Sequence, residues 1–361
     1  MKTLLIMAGG TGGHVIPALA VAENLRARGV RIIWMGTAQG IESTLVPKAD
    51  IELKLVKVSG LRGSGLIRKV KAPFQLMGAA VQAMKIILSS KANAILGMGG
   101  FVSGPGGMVA WLLRKPLVLH EQNAIAGTTN RLLAPFAKQV LTGFESVTAF
   151  KHSEHIGNPV KPEIAAIEAP ITRLARIDKT FNVLVIGGSQ GALVFNEKLP
   201  KLLKNLQDEL GTDIQLNVRH QSGKDKSDAV QQAYLDQNQN AEVHEFIDDM
   251  AAAYAWSDVL ICRSGAMTVS EVEAAGAVAM FVPFPYAIDD HQFYNAKAMS
   301  DADAAICLRQ DLFEKGEWVA TLTGLAKNRD SLITMASKAR EFARPDATAQ
   351  LADICMEVMN A

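Results

Sequence analysis

Met7-Ala8-Gly9-Gly10-Thr11-Gly12-Gly13-His14 follows the apolar run Leu4-Leu5-Ile6 and precedes an amphipathic segment that begins near Val15. A strand, a glycine-dense turn and a helix in that order form a phosphate-binding element. Glycines let the backbone approach an anion, and the helix N-terminus supplies unpaired N–H groups and partial positive charge. The pattern restarts at Asn182-Val183-Leu184-Val185-Ile186, followed by Gly187-Gly188-Ser189-Gln190-Gly191-Ala192. Two such units predict two α/β domains, each built around one turn, with a substrate held between them. A length of 361 residues and a hydrophobic fraction of 49% are enough for two cores.

Neither turn is a nicotinamide or P-loop signature. The first has Val15 where the dinucleotide fingerprint needs a third small residue, and Gly36-Thr37 follows the second strand where an acid would hold a ribose. Ser222-Gly223-Lys224 lacks the upstream glycine of a P-loop and runs into Asp225. A net charge of +1 creates no global field for nucleic acid. Cys262, Cys307 and Cys355 are scattered without metal-ligand spacing, which predicts free thiols in a reducing compartment. There is no basic-then-apolar leader and no apolar run of about 18 residues, so a cytoplasmic protein with at most peripheral membrane contact is expected.

Along the first half, helix Pro17 to Leu25 ends at Gly29, and strands are expected at Arg31–Met35 and from Ile51 to Val58. Ser59 to Lys71 interleaves basic and apolar residues and runs into Phe74, Leu76 and Met77. Such a stretch suits an anionic bilayer, but read by itself it is better taken as a solvated loop leading into a core-facing helix, Ala72 to Leu88. Strand Ala94–Met98 opens onto Gly99-Gly100-Phe101-Val102-Ser103-Gly104-Pro105-Gly106-Gly107, glycines that serve either ligand approach or packing between turns. His120-Glu121-Gln122-Asn123 stands just past a strand, on the rim where α/β proteins bind ligands, and has no second His at metalloprotease spacing.

Ile156-Gly157-Asn158-Pro159-Val160-Lys161-Pro162 reads as a short ordered hinge, which places the domains at 1–158 and 159–344. In the second half, helices are expected at Leu193–Leu210 and Met250–Trp256, the latter capped by Asp248. Strand Val259–Cys262 leads through Arg263-Ser264-Gly265 into a helix carrying Ala266, Met267, Thr268, Val269, Ser270 and Glu271. Glu271 there either complements the helix dipole or accepts hydrogen bonds from the vicinal hydroxyls of a ribose. The proline-braced loop from Pro283 to Gln292 presents amides and acids suited to sugar hydroxyls. Three further helices, Gly316–Asn328, Ser331–Phe342 and Ala347–Met359, complete the chain.

Taken together, Gly9 to His14, Gly97 to Pro105, His120-Glu121-Gln122-Asn123, Gly157-Asn158-Pro159-Val160, Gly187 to Ala192, Arg263 to Ala266, Thr268 to Glu271 and Asp290-His291-Gln292 resemble the MurG family. Each block alone is weak; their order across nearly the whole chain makes the resemblance specific. It implies two Rossmann-like domains facing across a cleft, the GT-B fold, with the final helix (about 345–361) crossing back to the first domain. It implies an inverting transferase that moves N-acetylglucosamine from UDP-N-acetylglucosamine to a lipid-linked muramyl-pentapeptide in peptidoglycan synthesis. The implied location is the cytoplasmic face of the inner membrane, with wall-synthesis and division proteins as partners. No cofactor is implied.

By the same resemblance, Ile247 meets the uracil through its backbone and Glu271 holds the ribose. Ser189 and the N–H groups of Ala266, Met267 and Thr268 hold the diphosphate, with Val269 and Ser270 completing that segment, and Gln292 contacts the sugar. In the first domain, Thr11, Gly12 and Gly13 close over phosphate and Asn123 reaches the donor sugar. The family often has Arg where this chain has Lys161, which keeps the charge but loses the planar fork. Leu66, Ile67, Arg68, Lys69, Lys71, Phe74 and Trp111 to Arg114 become candidates for a membrane face. His14 is the candidate general base, with a phosphate contact and assistance from Glu121 as the alternative assignment. Helix N-termini can steady the leaving diphosphate, and no Asp-x-Asp metal site stands in a suitable loop. A UDP-sugar epimerase and a non-catalytic nucleotide-sugar binding protein are the competing readings. The donor is then expected at Gly187–Ala192 and the helix from Ala266, with the opening turn as the acceptor-side lip.

Overall fold

The structure, a computed structural model, describes residues 1–57, 66–176, 179–188 and 190–361, and for 66–72 the backbone alone. It contains two compact units, residues 1–160 with 345–361, and residues 161–344.

The first unit carries strands β1 (Thr3–Met7), β2 (Arg31–Gly36), β3 (Glu52–Leu55), β4 (Ala94–Gly97), β5 (Leu117–Glu121), β6 (Gln139–Thr142) and β7 (Glu154–His155). They form one parallel sheet in the order β3-β2-β1-β4-β5-β6-β7. Its helices are α1 (Gly12–Ala27), α2 (Glu42–Lys48), α3 (Leu66–Ser90), α4 (Ser103–Leu112) and α5 (Thr128–Leu133). All five residues of β1 are buried, because helices cover both faces of a parallel sheet. The period-2 alternation of a strand sorts them. Leu4 and Ile6 enter a core with Val15, Ala18, Val21 and Leu25 of α1, while Leu5 and Met7 enter a second core with Ala83, Ile87 and Val109 of α3 and α4.

The second unit holds β8 (Thr180–Ile186), β9 (Gln215–Gln221), β10 (Ala241–His244), β11 (Val259–Cys262), β12 (Ala279–Phe281) and β13 (Ile306–Cys307), parallel in the order β10-β9-β8-β11-β12-β13. Its helices are α6 (Pro162–Ala165), α7 (Pro170–Arg173), α8 (Leu193–Leu210), α9 (Ser227–Leu235), α10 (Met250–Trp256), α11 (Ala266–Ala275), α12 (His291–Asp301), α13 (Gln310–Lys315), α14 (Trp318–Lys327) and α15 (Arg329–Glu341). The last helix, α16 (Ala347–Asn360), belongs to the first unit. Its Leu351, Ala352, Cys355, Val358 and Met359 join the core around α1, and Lys2 Nζ donates to the Met359 carbonyl at 2.7 Å.

Both sheets reverse strand order beside their first strand, at β1/β4 and at β8/β11. Open α/β sheets bind ligands outside the strand ends at such switch points. The Gly9–Gly13 turn and Gly97–Gly100 lie at the first switch point; Gly187–Gly191 and Arg263-Ser264-Gly265 lie at the second.

Three expectations change. Helix α3 begins at Leu66 rather than Ala72, so Leu66 to Lys71 are helical and Pro73 lies inside the helix instead of in its first turn. Asp249, not Asp248, is the N-cap of α10, its carboxylate accepting from Ala252 N at 2.9 Å. The segment expected as one helix at Gly316–Asn328 starts at Trp318, because Gly316 adopts a left-handed conformation that terminates α13.

Candidate active site

In the first unit, Thr11 is the N-cap of α1 and makes no side-chain capping bond, so the N–H groups of Gly12 and Gly13 begin the helix without a capping side chain. His14 follows on the first turn. The ring is wedged against β4's glycine exit. Gly99 has φ +97°, and a Cβ there would stand 2.9 Å from the His14 ring; a Cβ on Gly100 would stand 2.4 Å from the Gly9 carbonyl oxygen. These glycines therefore serve turn-on-turn packing.

A residue that sequence reasoning passed over organises the same turn. Glu42 is fully buried, and its carboxylate accepts from Gly10 N at 2.9 Å and from Thr37 N and Oγ1 at 2.8 Å each. Glu42 comes from the start of α2 and is directed at the turn, not placed directly after β2 where a dinucleotide fold carries its acid. It engages the Gly10 N–H that a phosphate cradle would need.

Beside β5, His14 Nδ1 lies 3.0 Å from Gln122 Oε1, and Gln122 Nε2 lies 3.1 Å from His120 Nδ1. His120 is fully buried, with Nε2 2.9 Å from the Gly157 carbonyl, and burial lowers its pKa to about 4, so the ring is neutral near pH 7. Glu121 is also buried. Its Oε1 accepts from Asn123 N at 3.0 Å and Nδ2 at 3.3 Å, and its Oε2 from Gly127 N at 3.0 Å and Asn130 Nδ2 at 2.8 Å. Four donors on one carboxylate shape the loop that presents Asn123.

In the second unit, Gly187–Gly191 locks onto Ser222-Gly223. Gly191 has φ +71°, and a Cβ there would overlap the Ser222 carbonyl oxygen at 1.9 Å. Gln221, at the polar end of β9, ties this turn to the next strand end: Nε2 donates to Gly188 O at 2.9 Å and Oε1 accepts from Ile247 N at 3.0 Å. With that N–H engaged, the Ile247 carbonyl is the backbone group left for a base. Ser189 lies outside the described residues, as do the side chains of Leu66, Ile67, Arg68, Lys69 and Lys71.

Helix α11 starts at Ala266 with Gly265 as N-cap and no side-chain cap, so Ala266, Met267 and Thr268 lead with uncapped N–H groups. Among the described residues, the buried Ser264 hydroxyl just before them has no hydrogen-bond partner. Val269 and Ser270 are buried along the helix. Glu271 falls on the second turn, beyond the reach of the strongest dipole effect. Its side chain keeps part of its surface open, yet burial of the carboxyl raises its pKa to about 7. Tyr254 Oη, fully buried on α10, donates to Oε2 at 2.8 Å, and the Lys161 charge acts in the same stabilising direction. Lys161 thus bears on Glu271 electrostatically. Gln292, on the first turn of α12, accepts from Phe284 N at 2.9 Å through Oε1, which leaves its NH₂ to point elsewhere. Among the described residues, no group of three or more His, Cys, Asp or Glu could hold a metal ion.

This geometry offers an imidazole and an amide rim on one unit, and an uncapped helix N-terminus with a half-engaged carboxylate on the other. The glycosyltransferase family 28 N-terminal domain model matches residues 4–142, and the family's C-terminal domain model matches residues 182–351. A Cellvibrio japonicus protein named UDP-N-acetylglucosamine–N-acetylmuramyl-(pentapeptide) pyrophosphoryl-undecaprenol N-acetylglucosamine transferase is 49% identical over 99% of both chains. The crystal structure of Acinetobacter baumannii MurG is 41% identical, with a TM-score of 0.85 over 99% of this chain and 100% of that one. A structure titled as a putative UDP-N-acetylglucosamine 2-epimerase from Listeria monocytogenes also superposes, with a TM-score of 0.65 over 97% and 95% of the chains. At 12% identity, that likeness shows the fold alone. Near-full-length identity on both domains decides the question: the chain belongs to glycosyltransferase family 28 and, within it, to the MurG family.

Proposed function

We propose that this protein transfers N-acetylglucosamine from UDP-N-acetylglucosamine to the muramyl hydroxyl of a lipid-linked muramyl-pentapeptide, with inversion, in peptidoglycan synthesis. The observation that carries the reading is the second unit's donor station, in a chain that matches transferases of that name end to end. There an uncapped helix N-terminus at Ala266 stands five residues before a carboxylate whose Oε2 is already engaged by Tyr254. The helix N-terminus suits a diphosphate, and the carboxylate suits the two ribose hydroxyls.

The acceptor hydroxyl attacks the anomeric carbon on the face opposite the diphosphate. The new C–O bond forms as the bond to the β-phosphate oxygen breaks, and that oxygen keeps the electron pair. His14 takes the hydroxyl proton and returns it to water. The N–H groups of Ala266, Met267 and Thr268, with Ser189, meet the charge that develops on the diphosphate. Gln292 and Asn123 orient the sugar, Thr11, Gly12 and Gly13 line the acceptor side, and Glu121 acts by holding the Asn123 loop. UDP release from UDP-N-acetylglucosamine, assayed with and without lipid-linked acceptor, tests the reading: a transferase requires the acceptor, whereas conversion of the donor alone refutes transfer. Retention of near-normal turnover by His14→Ala would remove the base assignment.

The acceptor's lipid anchor calls for a peripheral membrane face on the first unit. Among the described residues no helix is long and apolar enough to cross a membrane. Phe74, Met77 and Val81 are exposed at helical spacing along α3, as are Met108, Trp111 and Leu112 on the adjacent α4 and Leu132 on α5. Lys85, Arg114 and Arg131 are exposed on the same helices or directly after them. An apolar surface rimmed by cations fits an anionic bilayer. Phe74→Ser combined with Trp111→Ser should abolish co-sedimentation with anionic liposomes while leaving turnover of a water-soluble acceptor intact; unchanged co-sedimentation refutes this face.

A further inference from the structure

We propose that Gln122 and His120 are positioning residues that fix the tautomer of His14, so that Nδ1 carries the proton and Nε2 the lone pair. The proposal rests on the reading of His14 as the general base and adds a reason why the base is competent. The chain of contacts begins at the Gly157 carbonyl. The Gly157 carbonyl can only accept, so the His120 Nε2 that meets it at 2.9 Å must be N–H. His120 is fully buried and neutral near pH 7, so its Nδ1 then carries a lone pair. At 3.1 Å that lone pair requires a donor, which must be the Gln122 amide nitrogen.

A second acceptor imposes the same amide orientation. Gln122 Nε2 also lies 3.2 Å from the His120 carbonyl oxygen, where a flipped amide would set oxygen against oxygen. With the nitrogen fixed on that side, Gln122 Oε1 faces His14 Nδ1 at 3.0 Å as an acceptor, and Nδ1 must bear the proton. The carbonyls of Gly157 and His120 thus determine, through one ring and one amide, which nitrogen of His14 is basic.

The packing removes the other option. Gln122 is buried and cannot turn to water, and the half-buried His14 ring lies against Gly99 on one side. Asn158 Nδ2 donates to the Gln122 backbone carbonyl at 3.1 Å, which ties the segment to the Gly157-Asn158 backbone from which the relay starts. An imidazole held in one tautomer presents its lone pair to the substrate in every molecule, whereas the wrong tautomer presents an N–H that cannot accept the acceptor's proton.

Two-bond ¹H–¹⁵N spectra of the ¹⁵N-labelled full-length protein, with His14 assigned by difference against His14→Gln, read the tautomer directly and need no activity. The wild type should show His14 as Nδ1–H; an Nε2–H pattern overturns the proposal. In Gln122→Leu the Nδ1–H preference should be lost, and kcat should fall about tenfold, a part of the roughly 10²–10⁴-fold that general-base catalysis contributes, with donor KM within about twofold. Persistence of the Nδ1–H tautomer in Gln122→Leu overturns the relay. Should His14→Ala turn over normally while the wild type shows Nδ1–H, the base assignment falls and the tautomer relay stands, so the two failures are separable. The wild-type spectrum decides even if Gln122→Leu does not fold.

Discussion

Tyr254→Phe removes a single oxygen from the proposed donor site, and its effect can be worked out from the structure. The Tyr254 hydroxyl donates to Glu271 Oε2 at 2.8 Å and holds down a carboxyl pKa that burial has raised to about 7. A hydrogen bond to a charged group contributes about 2 kcal/mol. Its loss should raise the Glu271 pKa by about 1.5, at 1.36 kcal/mol per unit. In the proposed role the ionised carboxylate accepts from both ribose hydroxyls, so KM for UDP-N-acetylglucosamine should scale as one plus the ratio of protonated to ionised Glu271. At pH 7 that factor is about 2 in the wild type and about 30 in the variant, so KM should rise about fifteenfold. By pH 9.5 both enzymes are largely ionised and the difference should shrink below about twofold. The assay is initial-rate kinetics for the donor from pH 6.5 to 9.5 at saturating acceptor. A KM ratio that does not change with pH, or no rise at pH 7, refutes the assignment of Glu271 as the ribose carboxylate poised by Tyr254.

Three further outcomes follow from other parts of the structure. Glu42→Gln turns an amide NH₂ or a single acceptor toward a site with three donors, which should cost about 2–3 kcal/mol and appear as a lower Tm; an unchanged Tm would show that the first turn holds itself. Gly99→Ala places a methyl 2.9 Å from the His14 ring at a left-handed φ, a backbone strain of about 1–2 kcal/mol, and should lower kcat more than donor KM; equal effects on both would argue against a displaced base. Glu273 is buried and its pKa is raised to about 8, so it is protonated in the fold while already ionised in the unfolded chain above about pH 4.5. Its destabilising contribution therefore grows from pH 4.5 to about 8 and then levels off. Glu273→Gln should leave Tm unchanged near pH 4.5 and raise it progressively toward pH 8; a uniform shift would contradict the buried-carboxyl account.

The chain alone was sufficient for the doubly wound repeat, for α8, α10 and β11 at their observed bounds, and for the family. The physical reason is that continuous apolar strands, glycine turns and helix periodicity are local patterns, repeated once per domain. The Ala266 to Glu271 segment was legible for the same reason, since a strand end feeding a helix N-terminus is written in consecutive residues. The supporting groups were not. Glu42 reaches the Gly10 turn across 32 positions, Gln122 reaches His14 across 108, and Tyr254 reaches Glu271 from a different helix. An acid, an amide and a phenol at those places carry no local signature. Whether Glu121 acts as a base or a brace, and whether Gly99 meets a ligand or a ring, depends on which atoms the sheet order places within 3 Å. Hydrogen bonding and steric exclusion act at that range, and only the tertiary structure decides which groups come within it.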